Sequence, residues 1–193
     1  GEFRFVCLTD DAIGLDSAIE SFPIPDLGIR EFDWIKGGWP KISVFKPDLY
    51  GLTGRCLFID LDTVICGSLD EFFENGGDFV GIDTGPTWGR PTPDQKPLLG
   101  TGIFAFTLGA YSKIYDEFIM DPQAVVAKYR IEQIYLQGEL PPGALRFWPL
   151  DCGARAKTSP RVMSIWVQIA TIRTTRSRRM PRRIHCSSAC LRH

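Results

Sequence analysis

Two aspartates one residue apart are the side chains in this sequence best placed for chemistry. Asp60 and Asp62 come at the end of an apolar run that starts at Arg55 and has strand-like composition. In a strand, side chains at positions i and i+2 point to the same side of the sheet, roughly 6–7 Å apart. Two carboxylates on one side repel each other unless a cation joins them. The pair therefore indicates a site for a hard divalent cation whose remaining ligands are phosphate oxygens.

A purely structural role is the alternative for the same pair. One aspartate would cap the turn at residues 67–70 and the other would be solvated, and short motifs of this kind often arise by chance. The apolar strand before the pair and the apolar Val64-Ile65 after it favour the functional interpretation. Open α/β folds bind their ligands at the carboxyl ends of strands, which is where this pair would lie.

Strand-like and helix-like segments alternate along residues 1–151, and this alternation predicts an α/β fold. The predicted strands cover residues 3–8, 55–61, 79–82 and 103–106. A short helix is predicted to begin at Trp39-Pro40-Lys41 and to end before Pro47. Two more are predicted over residues 108–120 and from Asp121-Pro122 to about residue 130, whereas residues 21–38, rich in Pro and Gly, are predicted to be irregular.

Composition narrows the class of protein. A length of 193 residues with 44% hydrophobic residues suits one domain with a real core. No stretch approaches the roughly 20 uninterrupted apolar residues of a membrane-spanning helix, and no segment resembles a signal peptide. The six cysteines lack the regular spacing of a disulfide scaffold. We therefore expect a soluble, cytoplasmic protein.

The charge distribution divides the chain near Cys152. All 23 Asp and Glu residues lie in residues 1–151, whose net charge is −11, whereas residues 152–193 carry a net charge of +10. This basic tail has three interpretations. It could be an arm that binds nucleic acid or an acidic surface, or a zinc site formed by His185, Cys186, Cys190 and His193. We favour a third, a poorly ordered tail from out-of-frame translation with strand-like content only in residues 162–172, and we expect no nucleic-acid partner.

Four segments in a fixed order resemble glycosyltransferase family 8 and related bacterial proteins. They are residues 39–45 (WPKISVF), 55–65 (RCLFIDLDTVI), 99–106 (LGTGIFAF) and 132–137 (EQIYLQ). The resemblance covers roughly residues 3–150 and implies a GT-A-like domain, a mixed sheet flanked by helices, over residues 1–151. It also implies that a sugar passes from a nucleoside diphosphate sugar, UDP-linked in our expectation, to an acceptor hydroxyl with the help of Mn²⁺ or Mg²⁺.

The resemblance assigns a role to each matching residue. Asp60 and Asp62 would hold the metal and Lys41 would reach the donor phosphate or sugar, while Glu132 and Gln133 would bind sugar hydroxyls at the reacting face as the catalytic pair. The segment Gly100-Thr101-Gly102 would line the donor site, with Gly100 in place of the family's Asn. Glu132 replaces an Asp, and Ile134 stands where a second Asp is common. For Glu132 and Gln133 the structural alternative is an exposed helix face.

Two alternatives to glycosyl transfer stay open. The run Asp60-Leu61-Asp62-Thr63-Val64 also resembles the first motif of haloacid-dehalogenase-like phosphatases, in which Asp60 would be the nucleophile that forms an aspartyl-phosphate. The second alternative follows from the two ends of the chain. The family has a strand before the segment that resembles residues 3–11 and a final His-Gly…Lys-Pro segment, and neither is found in this sequence. A domain that binds a nucleotide without turnover is therefore also considered.

Overall fold

The computed structural model describes residues 2–30, 33, 36–61, 63, 65, 68–74, 77–85, 94, 96–149 and 167–173; for residues 2 and 167–173 it describes the backbone alone. The strands are β1 (Glu2–Leu8), β2 (Glu20–Phe22), β3 (Arg55–Asp60), β4 (Phe79–Asp83), β5 (Leu99–Thr107), β6 (Leu145–Phe147) and β7 (Val167–Arg173). The α-helices are α1 (Glu71–Glu74), α2 (Ser112–Met120), α3 (Pro122–Tyr129) and α4 (Glu132–Glu139). Two 3₁₀ helices span Trp39–Phe45 and Leu49–Gly51.

All seven described strands join one mixed sheet in the order β2-β1-β7-β3-β5-β4-β6. The outer pairs β1–β2 and β4–β6 are parallel, and the other neighbours are antiparallel. Because β1 and β3 both run antiparallel to β7, they end at the same edge of the sheet. The mixed sheet with its flanking helices confirms the predicted α/β class.

Both faces of the central strand β3 are buried, which explains its continuous apolar sequence. Cys56 and Phe58 point into the larger core, which also contains residues of the Trp39–Phe45 helix, α2 and α4. Leu57 and Ile59 point into a smaller core on the other face, together with residues from α1. This alternation, two residues per repeat, places Asp60 on the face of the larger core.

A bulge in β5 decides which of its side chains reach the larger core. Gly81 of β4 pairs with Phe104, but the next residue, Ile82, pairs with Gly100, so β5 inserts three residues between consecutive pairs. As a result the odd-numbered Leu99 packs into the same core as the even-numbered Phe104. A Cβ at Gly81 would overlap with Leu99 Cδ1, which indicates that this glycine makes room for the Leu99 side chain.

Several predicted elements agree with the structure. The strands at 3–8, 55–61 and 79–82 correspond to β1, β3 and β4, and the short helix at Trp39 is present in 3₁₀ form. The start of α3 is also as predicted, because the Asp121 carboxylate accepts a hydrogen bond from the Ala124 amide and Pro122 opens the helix.

Other boundaries were wrong. Residues 21–38 were predicted to be irregular, but residues 21 and 22 belong to β2. The second helix begins at Ser112 rather than at residue 108, because a turn in which the Ala110 amide donates to the Thr107 carbonyl precedes it. Strand β5 begins at Leu99 rather than at residue 103, since pairing with β4 extends it. The helix α4 was not among the predicted elements and was considered only in the alternative of an exposed helix face for Glu132 and Gln133.

The predicted basic tail contributes the strand β7 to the middle of the sheet, where it pairs with β1 and β3. The remainder of residues 152–193, including His185, Cys186, Cys190 and His193, lies outside the described residues, so the out-of-frame and zinc interpretations of the tail stay predictions. Within the part of the chain that is described, no helix has both the length and the apolar character needed to span a membrane.

Candidate functional site

The candidate site lies where β3 ends, beneath the Trp39–Phe45 helix. Trp39, Ile42 and Phe45 of this helix are all buried at a spacing of three residues. In a 3₁₀ helix, which has three residues per turn, such residues lie on one side, so this apolar side fixes the helix against the core. Lys41 is thereby held over the end of β3, with its Nζ atom 5.9 Å from the centroid of the Phe58 ring.

Four polar side chains from separate segments meet at this point, and we call them the Lys41 cluster: Lys41, Asp60, Thr101 and Glu132. Lys41 Nζ lies 2.6 Å from Asp60 Oδ2 and 3.4 Å from Glu132 Oε1. The Thr101 hydroxyl donates a hydrogen bond to Glu132 Oε1 over 2.5 Å. The exposed fractions of the Lys41, Asp60 and Glu132 side chains are 14%, 27% and 6%. Two carboxylates and one ammonium give the cluster a formal charge of −1.

Contacts with the turn at Gly37-Gly38 hold Glu132 in place. It is the first residue of α4, and its backbone amide donates to the Gly37 carbonyl over 2.9 Å. A carboxylate in the first turn of a helix is favoured by the helix dipole. Gly38 adopts a left-handed conformation with φ of 69°, and a Cβ there would lie 2.8 Å from Glu132 Oε2. The Glu132 carboxylate therefore occupies space that a side chain at Gly38 would need.

Replacing Gly38 by alanine is expected to displace the Glu132 carboxylate and to destabilise the fold by about 2 kcal/mol, part of it from the left-handed backbone. Gly51→Ala is the matched control, because Gly51 has a similar φ of 67° but nothing within 4 Å of its Cβ position. Urea unfolding of both variants measures the difference. Equal losses in the two variants would contradict the close approach between Gly38 and Glu132.

The charges around Lys41 decide its protonation. Burial by itself would lower the pKa of the Lys41 ammonium, but the Glu132 and Asp60 carboxylates outweigh burial and raise this pKa above its ordinary value. The ammonium is therefore fully charged at neutral pH. Because it stays protonated, the Lys41 ammonium cannot serve as a general base.

The structure brings together most of the residues that the sequence singled out. Lys41, Asp60, Thr101 and Glu132 form the cluster, and the register of β3 with β5 places Gly102 level with Asp60, one step beyond the Ile59–Ile103 pair. The alternative of an exposed helix face for Glu132 and Gln133 is wrong, since both side chains are buried.

Three other predicted residues have different settings. Gly100 is buried opposite Ile82, and a Cβ there would lie 2.6 Å from Thr84 Cγ2, so a side chain at this position would displace Thr84. The Nε2 atom of Gln133 is buried and has no hydrogen-bond partner among the described residues. Asp62 lies outside the described residues.

One residue with a clear positioning role was missed at the sequence level. Gln137 of α4 accepts a hydrogen bond from the Leu99 amide over 2.8 Å and donates one to the Pro97 carbonyl over 3.1 Å. It thus fastens the beginning of β5 to the helix that carries Glu132. The available signal was the spacing of Gln133 and Gln137, which are four residues apart and therefore share a helix face.

A separate cavity of about 410 Å³ opens at the other end of β3. It is lined by Asp78, Thr107, Ala110, Tyr111, Pro141, Pro142, Gly143 and Ala144. Thr107 pairs with Arg55, the first residue of β3, which is about 17 Å along the strand from Asp60. The cavity therefore shares no residue with the Lys41 cluster.

Asp60 is the acidic side chain of the predicted metal pair that the structure describes. Among the described residues, no three His, Cys, Asp or Glu side chains lie close enough together to hold a metal ion. Asp60 offers a second carboxylate oxygen, Oδ1, besides the one that contacts Lys41. Carboxylate oxygen is a suitable ligand for Mg²⁺ or Mn²⁺. Comparisons of the chain with protein-family models, with curated proteins and with solved structures gave no match.

Proposed function

We propose that this chain is a GT-A-like glycosyltransferase domain that moves a sugar from a nucleoside diphosphate sugar, UDP-linked in our proposal, to an acceptor hydroxyl. The observation that carries the proposal is the meeting of Lys41, Asp60 and Glu132 at the end of β3. These residues come from three of the four segments that resemble glycosyltransferase family 8. Lys41 and Glu132 are 91 residues apart in the sequence, so the tertiary fold and not local chain geometry brings them together.

The cluster suits a donor with an anionic leaving group. The Lys41 ammonium would contact the diphosphate, whose negative charge grows as the bond to the sugar breaks. Asp60 would be a ligand of Mn²⁺ or Mg²⁺ together with Asp62 and phosphate oxygens, and a carboxylate at a strand end fits that role. The metal, when bound, would supply Lewis-acid neutralisation of the leaving diphosphate.

The α4 residues suit the sugar end of the donor. Glu132 is fixed by Thr101 and by the Gly37 carbonyl, so its carboxylate is oriented before any sugar binds. Gln133 carries a buried amide donor that has no partner among the described residues, and a buried donor of this kind gains most from a ligand oxygen. We propose that both side chains hydrogen-bond sugar hydroxyls and face the reacting bond.

Calorimetry of UDP binding tests the proposal. We expect Mn²⁺ to tighten UDP binding about tenfold or more, a change of about 1.4 kcal/mol, and Asp60→Asn to remove this metal dependence. Asp116→Asn is the matched control, because Asp116 lies exposed on α2. Binding of UDP that does not depend on Mn²⁺ in the unmodified protein would count against the proposal.

The two alternatives give different results in further assays. Hydrolysis of a generic phosphomonoester that disappears in Asp60→Asn would support the phosphatase with Asp60 as its nucleophile. Metal-dependent UDP binding without hydrolysis or transfer of any UDP-sugar would support a nucleotide-binding domain without turnover.

A further inference from the structure

The cavity at the beginning of β3 combines polar groups with apolar walls. Asp78, Thr107 and Tyr111 contribute a carboxylate and two hydroxyl groups, and the remaining walls come from Ala110 and from the turn at residues 141–144. The volume of about 410 Å³ falls in the lower part of the range of roughly 300–1,000 Å³ that is usual for small-molecule sites. The cavity therefore suits a small ligand of one or two rings.

Contacts within the protein fix the walls of this cavity. The Tyr111 ring is 8% exposed and stands edge-on to the Phe79 ring, with 5.6 Å between the two centroids. In the turn at residues 141–144, the Ala144 amide donates a hydrogen bond to the Pro141 carbonyl over 3.0 Å. These walls are in place before a ligand arrives, which lowers the entropy that binding costs.

The polar groups of the cavity can form hydrogen bonds with a ligand. Arg55 Nη1 donates to the backbone carbonyl of Asp78 over 3.0 Å, and this contact leaves both Asp78 carboxylate oxygens as acceptors. Burial and the nearby Asp78 charge raise the pKa of the Tyr111 hydroxyl, which is therefore protonated at neutral pH and able to donate. The Thr107 hydroxyl can donate or accept.

Arg55 decides which charge the ligand of this cavity can carry. Burial lowers the pKa of its guanidinium, while Asp78 and Tyr111 act in the opposite direction, and the group stays charged. Its Nη2 atom is buried and has no hydrogen-bond partner among the described residues. A cationic ligand on the Asp78 carboxylate would be repelled by Arg55, and an anionic ligand would be repelled by Asp78. A neutral ligand with several hydroxyl groups avoids both repulsions.

We propose that this cavity binds a neutral saccharide, whose hydroxyl groups pair with Asp78, Thr107 and Tyr111 and whose apolar ring face packs on Pro141-Pro142. Two neighbouring hydroxyl groups of a sugar can donate to the two oxygens of one carboxylate. The cavity lies about 17 Å along β3 from Asp60 and shares no residue with the Lys41 cluster. The saccharide site is therefore separate from the site of the proposed function.

Amide resonances in a nuclear magnetic resonance titration locate the saccharide without any variant. The probes are the methyl α-glycosides of glucose, galactose and mannose, and tetramethylammonium is the cationic comparison. We expect at least one glycoside to shift the amides of Ala110, Gly143 and Ala144 with millimolar affinity. If no glycoside shifts these amides, or if tetramethylammonium shifts them at lower concentration than every glycoside, the proposal is wrong.

Two substitutions test the groups that hold the saccharide. Tyr111→Phe keeps the ring and removes the hydroxyl, so it is expected to weaken glycoside binding about fivefold, and Asp78→Asn is expected to weaken it about tenfold. Tyr115→Phe and Asp116→Asn are the matched controls, since both residues lie on α2 and neither lines the cavity. Losses no larger than those of the controls would overturn the proposal. If a variant does not fold, the titration of the unmodified protein decides.

Measurement of UDP binding in the same samples separates this proposal from the proposed function. UDP binding in the presence of Mn²⁺ should be the same in Tyr111→Phe as in the unmodified protein, because the cavity is separate from the Lys41 cluster. Glycoside binding at the cavity without any UDP binding would support the saccharide site and refute the glycosyltransferase proposal. UDP binding without any glycoside binding at the cavity would refute the saccharide site alone.

Discussion

Replacing Phe104 by alanine is expected to lower the free energy of unfolding by about 4 kcal/mol. Phe104 is fully buried in β5. Its ring centroid lies 4.6 Å from that of Phe58, 5.3 Å from Phe79, 5.7 Å from Phe106 and 6.1 Å from Phe45. The substitution therefore removes one ring that four others pack against, and a rigid sheet cannot close the cavity that results.

Urea unfolding followed by circular dichroism measures this loss. Phe3→Ala is the matched control, because the Phe3 side chain on β1 is 42% exposed, and it should lose about 1 kcal/mol or less. A loss for Phe104→Ala that is no greater than the control's would mean that this core is not packed as described.

Replacing Lys41 by methionine is expected to destabilise the native protein by about 3 kcal/mol. Methionine keeps the length and apolar stem of lysine but removes its charge. Asp60 and Glu132 would then be left close together and largely buried without the ammonium between them. Most of the loss comes from these two carboxylates rather than from the missing contacts, because removing one member of a buried ion pair leaves the other uncompensated.

Lys113→Met provides the comparison for this substitution, because Lys113 is 82% exposed and pairs with Glu117 at the surface. Exposed ion pairs of this type contribute about 0.5 kcal/mol. Thermal or urea unfolding at neutral pH should therefore show a several-fold larger loss for Lys41→Met. If Glu132→Gln is combined with Lys41→Met, part of the stability should return, since one of the two opposing charges is gone.

The elements that were predicted correctly have local sequence signals. The apolar run of β3 and the Asp-Pro start of α3 each depend on a few adjacent residues. The resemblance to glycosyltransferase family 8 assigned Lys41 and Asp60 to the same donor site. In the structure their side chains form an ion pair. Spacing alone could not have shown this, because the two residues lie on different elements.

The parts that could not be predicted depend on contacts between distant segments. The burial of Glu132 is produced by the turn at Gly37-Gly38, which lies almost 100 residues earlier. The bulge that brings Leu99 into the same core as Phe104 arises from the pairing of β5 with β4. The short strand β2 has only three residues, and its extended form is explained by its pairing with β1.

The position of β7 has a consequence for synthesis on the ribosome. Strand β7 is the last of the described strands in the chain, yet it joins β1 to β3 in the middle of the sheet. At 5–20 residues per second, roughly 5 to 20 seconds pass between translation of Asp60 and of Val167. During that interval the growing polypeptide exposes two unpaired strand edges, one on β1 and one on β3, and such edges promote aggregation between nascent chains.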